Sequence, residues 1–255
     1  MMAQAPYFLI VFTRVTAFLA FIPFFNSKGF IRPVKATFAF ILTMLMFPTV
    51  PIDKWHIPTD ILGFIWLLTG EILVGILMGL ALMILLFALE LAGRIIGFQM
   101  AFSMANAMDA TFGTNTNILS VLMLMVGTMI IITTGGDHYL IISLSKSFQV
   151  LHPGTFSSTQ PLLDILSKLM SYAFDLGFRL AAPAIILLLA IDLTLGLIGK
   201  TAQKMQIFFV GLPLKIGVGL FCFTFILGFV DTVWAKDIHK YPAIMMNLFK
   251  AIRIS

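Results

Sequence analysis

The chain has 255 residues, of which 60% are hydrophobic and 11% charged, and its mean hydropathy is +1.06. A soluble domain carries about 25% charged residues, so a soluble globular enzyme of this length is excluded: its surface could not be covered. The net charge of +5 reads as basic loops held on the cytoplasmic side, not as a nucleic-acid surface, because no basic stretch alternates with aromatics on a polar face.

A helix needs about 20 apolar residues to cross a bilayer core. The first such segment is 7–25, ending at Pro23 and the turn Asn26-Ser27-Lys28-Gly29. No Lys or Arg precedes it, so it reads as a retained membrane segment with its start outside, not as a secretory signal. A basic loop with Lys28, Arg32, Pro33 and Lys35 follows, then a short segment over about 36–50 and a mixed loop from Asp53 to Asp60. The third segment, 61–89, is expected to continue as helix to about residue 100. Residues 101–117 lose apolar density and read as a loop or broken helix. A fourth segment covers 118–134 and stops at Gly135-Gly136-Asp137-His138. Residues 139–151 are apolar but too short to span, which suggests a bent or re-entrant piece. A polar loop over 152–161 precedes a fifth segment, 165–198, and a sixth, 207–233.

The positive-inside rule puts loops 28–35 and 199–206 in the cytoplasm, consistent with six spans. The tail 234–255 conflicts with this. Lys236, Lys240, Lys250 and Arg253, against Asp237, prefer the inside, so either one span is only a hairpin or the tail lies on the surface.

Charges inside apolar segments are costly and face protein or water. Arg14 sits mid-way along the first segment, and Glu71 opens an uncharged run of 18 residues. Glu90 and Arg94, and Asp175 and Arg179, stand at i,i+4 and can close on one helix face. Glu71 and Asp192 have no local partner, which leaves pairing between helices and an ion or proton relay both open. Lys215 and Asp231 complete the set. Gly75 and Gly79, then Gly93 and Gly97, form two small-x-x-x-small pairs that allow helices to approach closely, within the chain or with partners. Met100, Met104 and Met108 form one helical stripe that serves packing or a deformable seal.

Residues 106–117 are rich in Gly, Asn, Thr and Ala, and Asp109 is their one charge. Non-helical backbone at membrane depth is tolerated only inside protein or beside water, so this stretch points to a pore interior. Met100, Met104 and Phe112 are candidates for its seal. The histidines at 56, 138, 152 and 239 show no metal-ligand spacing, and the single cysteine, Cys222, lies in an apolar run. No catalytic, cofactor or metal site is expected. Gly199-Lys200-Thr201 imitates the end of a phosphate-binding loop, but Thr194 stands where its first glycine belongs and no buried strand precedes it.

Three stretches together resemble the FliR/SctT family of type III export-gate subunits. Residues 13–42 carry Arg14, Pro23 and Pro33 in the family's order. Residues 70–105 carry Glu71, Gly75, Gly79, Glu90, Gly93, Gly97, Gln99 and Met100, the most specific of the three. Residues 135–154 keep Ser147, Phe148 and Gly154, although two positions of the family's Asn-Gly-His-His turn have changed. Further on, Phe208, Gly211, Pro213, Leu214 and Lys215 match a cytoplasmic turn. There Lys200 replaces an Arg, Gln203 and Lys204 replace a Pro-Gln pair, and Gln206 replaces an Asn.

The resemblance implies an all-α integral membrane protein of about six hydrophobic helical segments in bent, tilted hairpins. It implies one membrane-embedded domain, FliP-like over 1–160 and with a FliQ-like helical pair and tail over 161–255. It implies assembly with FliP and FliQ, beside FlhB and FlhA, into an inner-membrane channel at the flagellar base that passes unfolded export substrates. The loop 106–117 would be its plug, and Met100, Phe102, Met104, Asn106, Met108, Asp109, Phe112, Gly113 and Asn115 the plug and seal. Arg14, Glu71, Gly75, Gly79, Glu90, Gly93, Arg94, Gly97 and Gln99 would serve helix and subunit packing. Virulence-type secretion is an alternative setting. A proton-coupled transporter using Glu71 and Asp192 is a rival reading from the residues alone.

Overall fold

The computed structural model describes residues 4–22, 31–52, 55, 57–101, 117–154, 160–201 and 207–252. Every regular element among them is helical: α1 (Ala5–Phe21), α2 (Arg32–Met46, then a 3-10 turn Phe47–Thr49), α3 (Ile61–Gln99), α4 (Ile118–Thr133), α5 (Gly136–Val150), α6 (Gln160–Thr201) and α7 (Ile207–Ile252). The basic loop expected to run to residue 35 ends earlier. Pro33 occupies the first turn of α2, where its missing N–H costs nothing and its fixed φ suits a helix. Arg32 and Lys35 are therefore helical.

The expectation of six spans is corrected. Among the described residues three helices are long and apolar enough to cross a membrane, with a fourth if α4 and α5 count as one broken span. α2 has 15 residues and α1 has 17, short of the roughly 20 that a bilayer core requires. The long helices go the other way. At 1.5 Å per residue, 39, 42 and 46 residues make about 58, 63 and 69 Å. A hydrocarbon core is about 30 Å thick, so these helices extend well past any lipid they cross. The bent piece expected at 139–151 is α5. It meets α4 at 74°, across Thr134 and Gly135. Gly135 has φ +68, a left-handed conformation that a residue without Cβ adopts freely.

The chain packs as two compact units. Unit 1 comprises Met1–Ile84, Ile131–Met170 and Asp237–Ser255. Its core includes Val11, Phe18, Met78, Leu144, Phe148 and Met245, all but fully buried. The sixth segment and the tail form one continuous helix, and the tail is no surface appendage. Within unit 1, Ile238, Tyr241, Met245, Leu248 and Phe249 are wholly buried, on one face at i,i+3,i+4 spacing. The Tyr241 hydroxyl donates to Met78 O at 2.8 Å.

Unit 2 comprises Leu85–Ile130 and Ser171–Lys236. Its core includes Ala88, Leu89, Ala92, Ile96, Met123 and Trp234. Trp234 Nε1 donates to Gly127 O at 3.3 Å. α6 and α7 run antiparallel there: Asp192 faces Lys215, and a Cβ added to Gly211 would lie 2.8 Å from Leu195 Cδ1.

Candidate functional site

Arg14 is the most concentrated polar group in unit 1. It lies on the face of α1 formed by Ile10, Val11, Val15 and Phe18, and it is wholly buried. Its Nε donates to Glu71 Oε2 at 2.6 Å, Nη1 to Ser147 Oγ at 2.9 Å and Nη2 to Leu151 O at 3.1 Å. The guanidinium carbon lies 4.2 Å from the centroid of the Phe148 ring. A buried cation must be paired and hydrogen-bonded to persist, and here α3, α5 and the residue after α5 supply all the partners. The planar fork of arginine suits three directions at once, as the point charge of lysine would not. The Leu151 carbonyl, left over at the end of α5, is thereby satisfied. The Trp55 ring lies tilted against Phe148, centroids 6.0 Å apart, and Tyr7 tilted against Trp55 at 6.2 Å.

One turn along α3 from Glu71, a Cβ on Gly75 would lie 2.6 Å from Arg14 O and 2.7 Å from Ala17 Cβ, and one on Gly79 would collide with Phe21 Cβ. These two glycines let the α1 backbone lie directly on α3, which is what brings Arg14 within reach of Glu71. The second glycine pair does the same in unit 2. A Cβ on Gly93 would lie 2.5 Å from Leu119 O, and one on Gly97 would collide with the Asn117 amide. Both pairs thus act within the chain.

Asn117 itself was not singled out from the sequence. Its Oδ1 accepts from Leu119 N at 3.0 Å and its Nδ2 donates to Arg94 O at 3.2 Å, so it caps α4 and pins it to α3. The readable signal was an Asn directly before an apolar run, a helix-start pattern.

The remaining charged candidates pair as follows, apart from Asp231, which is exposed on α7. Glu90 and Arg94 close at 2.6 Å, and Asp175 and Arg179 at 2.9 Å. Asp192, with no partner nearby in sequence, meets Lys215 across the α6–α7 hairpin at 2.5 Å. An apolar crevice of 400 Å³ lies between the same helices, lined by Leu187, Ile191, Leu195 and Leu214 among others.

Met100 is wholly buried at the end of α3, and its Sδ would lie 2.6 Å from a Cβ on Gly219. Gln99 closes α3, half-buried. Ala101 follows at φ 59, in a position where glycine is usual because Cβ is strained there. Phe102, Met104, Asn106, Met108, Asp109, Phe112, Gly113 and Asn115 lie outside the described residues, as do Gln203, Lys204 and Gln206. Lys200 is exposed near the end of α6, and Gly211 and Pro213 stand in the first two turns of α7. Among the described residues no group of three or more His, Cys, Asp or Glu is placed to hold a metal ion.

The family profile of bacterial export proteins, family 1, matches residues 5–241. The chain belongs to this family. It is similar to the flagellar biosynthetic protein FliR of Bacillus subtilis (strain 168), 29% identical over 257 residues, which cover 98% of this chain and 97% of that one. FliR of Escherichia coli (strain K12) is 31% identical over 207 residues, 81% of this chain and 78% of that one. The secretion system apparatus protein SsaT of Salmonella typhimurium is 28% identical over 181 residues, 69% of this chain and 70% of that one. A membrane component of a bacterial export apparatus is therefore the setting in which Arg14, Glu71 and the glycine pairs must be understood. There the glycine pairs set close helix contacts, and both carboxylates considered for a relay are held in ion pairs, Glu71 with Arg14 and Asp192 with Lys215.

Proposed function

We propose that this chain is a wall subunit of a flagellar type III export gate in the inner membrane. With FliP and FliQ, beside FlhB and FlhA, it would enclose the channel that passes unfolded flagellar subunits. The observation that carries this is the uneven burial of the long helices. The most apolar stretch of α3 is 67% buried within the chain, that of α6 only 17% and that of α7 only 22%. An apolar helix pair left so open asks for lipid or for other subunits. The antiparallel α6–α7 pairing supports the FliQ-like hairpin over 161–255, and the family resemblance supports the FliP-like part over 1–160. On the same resemblance, loop 106–117 is the plug that closes the channel at rest, and the connection between α6 and α7 faces the cytoplasm; Gly211, Pro213 and Lys215, expected in that turn, stand within α7.

The test is deletion and complementation. Removal of the gene should stop filament protein from reaching the medium, a plasmid copy should restore it, and FliP and FliQ should co-purify with the tagged chain. Unchanged secretion of filament protein would sink the flagellar reading; a host that lost only virulence secretion would instead favour the SsaT-like alternative. Deleting 106–117 should raise ion leakage across the membrane while export persists.

A further inference from the structure

The chain has no Asp or Glu before Asp53, while Arg14, Lys28, Arg32 and Lys35 all precede it. Arg14 is paired with Glu71. Arg32 and Lys35 stand in the opening of α2, one exposed and the other half-buried. Neither has an ion pair among the described residues, and α2 itself carries no carboxylate. One end of this helix therefore holds unmatched positive charge.

The outside of the same helix is apolar. Its inner face, Ala39, Leu42, Thr43 and Met46, is buried, and the Phe40 ring meets Phe8 and Phe12 of α1 at 5.4 and 6.5 Å. Val34, Phe38, Ile41 and Leu45 stand on the other flank and are all exposed. Residues three or four apart are neighbours on a helix surface. Arg32, Lys35, Phe38, Ile41 and Leu45 follow one another at those spacings, so the cations and the apolar side chains form one unbroken row. From Lys35 to Leu45 the helix rises about 15 Å. The hydrocarbon core is about 30 Å thick, so the row is as long as one leaflet is deep.

A row that is apolar along its length and cationic at one end fits a ligand with an apolar tail and an anionic head. Hydrocarbon alone would satisfy the apolar side chains and leave the cations unmatched. A protein subunit would have to bring a carboxylate to that one end. An acidic phospholipid carries both parts in a single molecule. The distribution of positive charge puts residues 28–35 on the cytoplasmic side, where the leaflet is anionic and attracts each nearby Lys or Arg.

We infer that α2 is a phospholipid-binding surface. Arg32 and Lys35 hold the phosphate of an acidic lipid of the cytoplasmic leaflet, and its acyl chain lies along Val34, Phe38, Ile41 and Leu45. This needs only a bilayer around the chain and not the channel reading, so the two can fail separately.

The experiment purifies the tagged chain, with the subunits that accompany it, in mild detergent. Native mass spectrometry then counts bound lipid as dioleoyl phosphatidylglycerol or dioleoyl phosphatidylcholine is added. The parent should prefer phosphatidylglycerol, and the preference should weaken as ionic strength rises; equal binding of the two lipids overturns the inference. Each basic residue at an anionic surface adds about fivefold in affinity, so Arg32→Gln with Lys35→Gln should weaken phosphatidylglycerol binding about thirtyfold. Should that variant fail to assemble, Lys35→Gln alone, expected at about fivefold, decides. Lys250→Gln removes an exposed cation of α7 and should change nothing. Parent-like phosphatidylglycerol binding in the Gln variants overturns the inference, as does loss of a subunit from them with the lipid count unchanged, because a protein would then cover α2. Ile41→Asn should weaken both lipids. If it leaves binding intact, only a phosphate is held and the acyl chain does not lie on α2.

Discussion

Replacing Glu71 with Ala would leave the Arg14 guanidinium wholly buried and without its counter-ion. Breaking a buried pair by removing one partner costs about 3–5 kcal/mol. Ser147 Oγ, Leu151 O and the Phe148 ring still hold the cation, which puts the expected loss at the lower end, about 3 kcal/mol. Against a total stability of about 5–15 kcal/mol, that is a large share. The double variant Arg14→Met with Glu71→Leu removes both charges. Ser147 Oγ keeps its own bond to Leu144 O, so the main orphan is the Leu151 carbonyl, at about 1–3 kcal/mol. The double variant should therefore be no less stable than the single one, a non-additivity that marks a coupled pair. Denaturation of the purified protein in detergent reads the stabilities, and secretion assays on the same variants read function. The reasoning is refuted if Glu71→Ala is as stable as the parent. It is equally refuted if the double variant is folded and assembled yet exports nothing, because Glu71 would then carry charge or protons.

Gly75→Val should separate α1 from α3, since even a Cβ there meets Arg14 O at 2.6 Å; we expect a loss at or above the roughly 1–3 kcal/mol of ordinary overpacking, seen as a lower unfolding midpoint. Asn117→Ala should cost about 1 kcal/mol as a lost helix cap and speed limited proteolysis near residue 117, while Asn117→Asp should keep most of the capping. Lys215→Met should cost about 1 kcal/mol or less, because Asp192 is 41% exposed and partly screened; a collapse of assembly on that change would show the pair to be far more than a hairpin clip.

The membrane class was legible from composition, and the glycine pairs and charged residues were legible as a set. The pairing was not. Glu71 finds Arg14 57 residues away and Asp192 finds Lys215 on the next helix, and no spacing rule reaches across a fold. Hydropathy also misjudged lengths. It divides the chain wherever charges cluster, so Lys236, Asp237 and Lys240 set the last stretch apart from the sixth segment, with which it forms one helix. The apolar residues of 234–255 stand at helical spacing, which is legible; that Ile238, Tyr241, Met245 and Leu248 are wholly buried is a fact about packing. Asn117 was readable as a cap, but its grip on Arg94 O depends on Gly97 leaving room, which is a fact about packing.

The bond from Tyr241 to Met78 also bears on the order in which the protein is made. Unit 1 takes its first 84 residues from the start of the chain and its last piece from Asp237 onward. Every residue of unit 2 is translated in between. Tyr241, Met245 and Phe249 are wholly buried, so the core around Met78 stays open until these residues have been made. Contacts of such long sequence separation form late, and exposed apolar surface is what proteases and chaperones recognise. A ribosome that stops short of residue 241 would release a chain with all of unit 2 present and unit 1 unsealed. Membrane quality control thereby gains a physical means of telling a copy that carries this helix from one truncated before it, ahead of assembly.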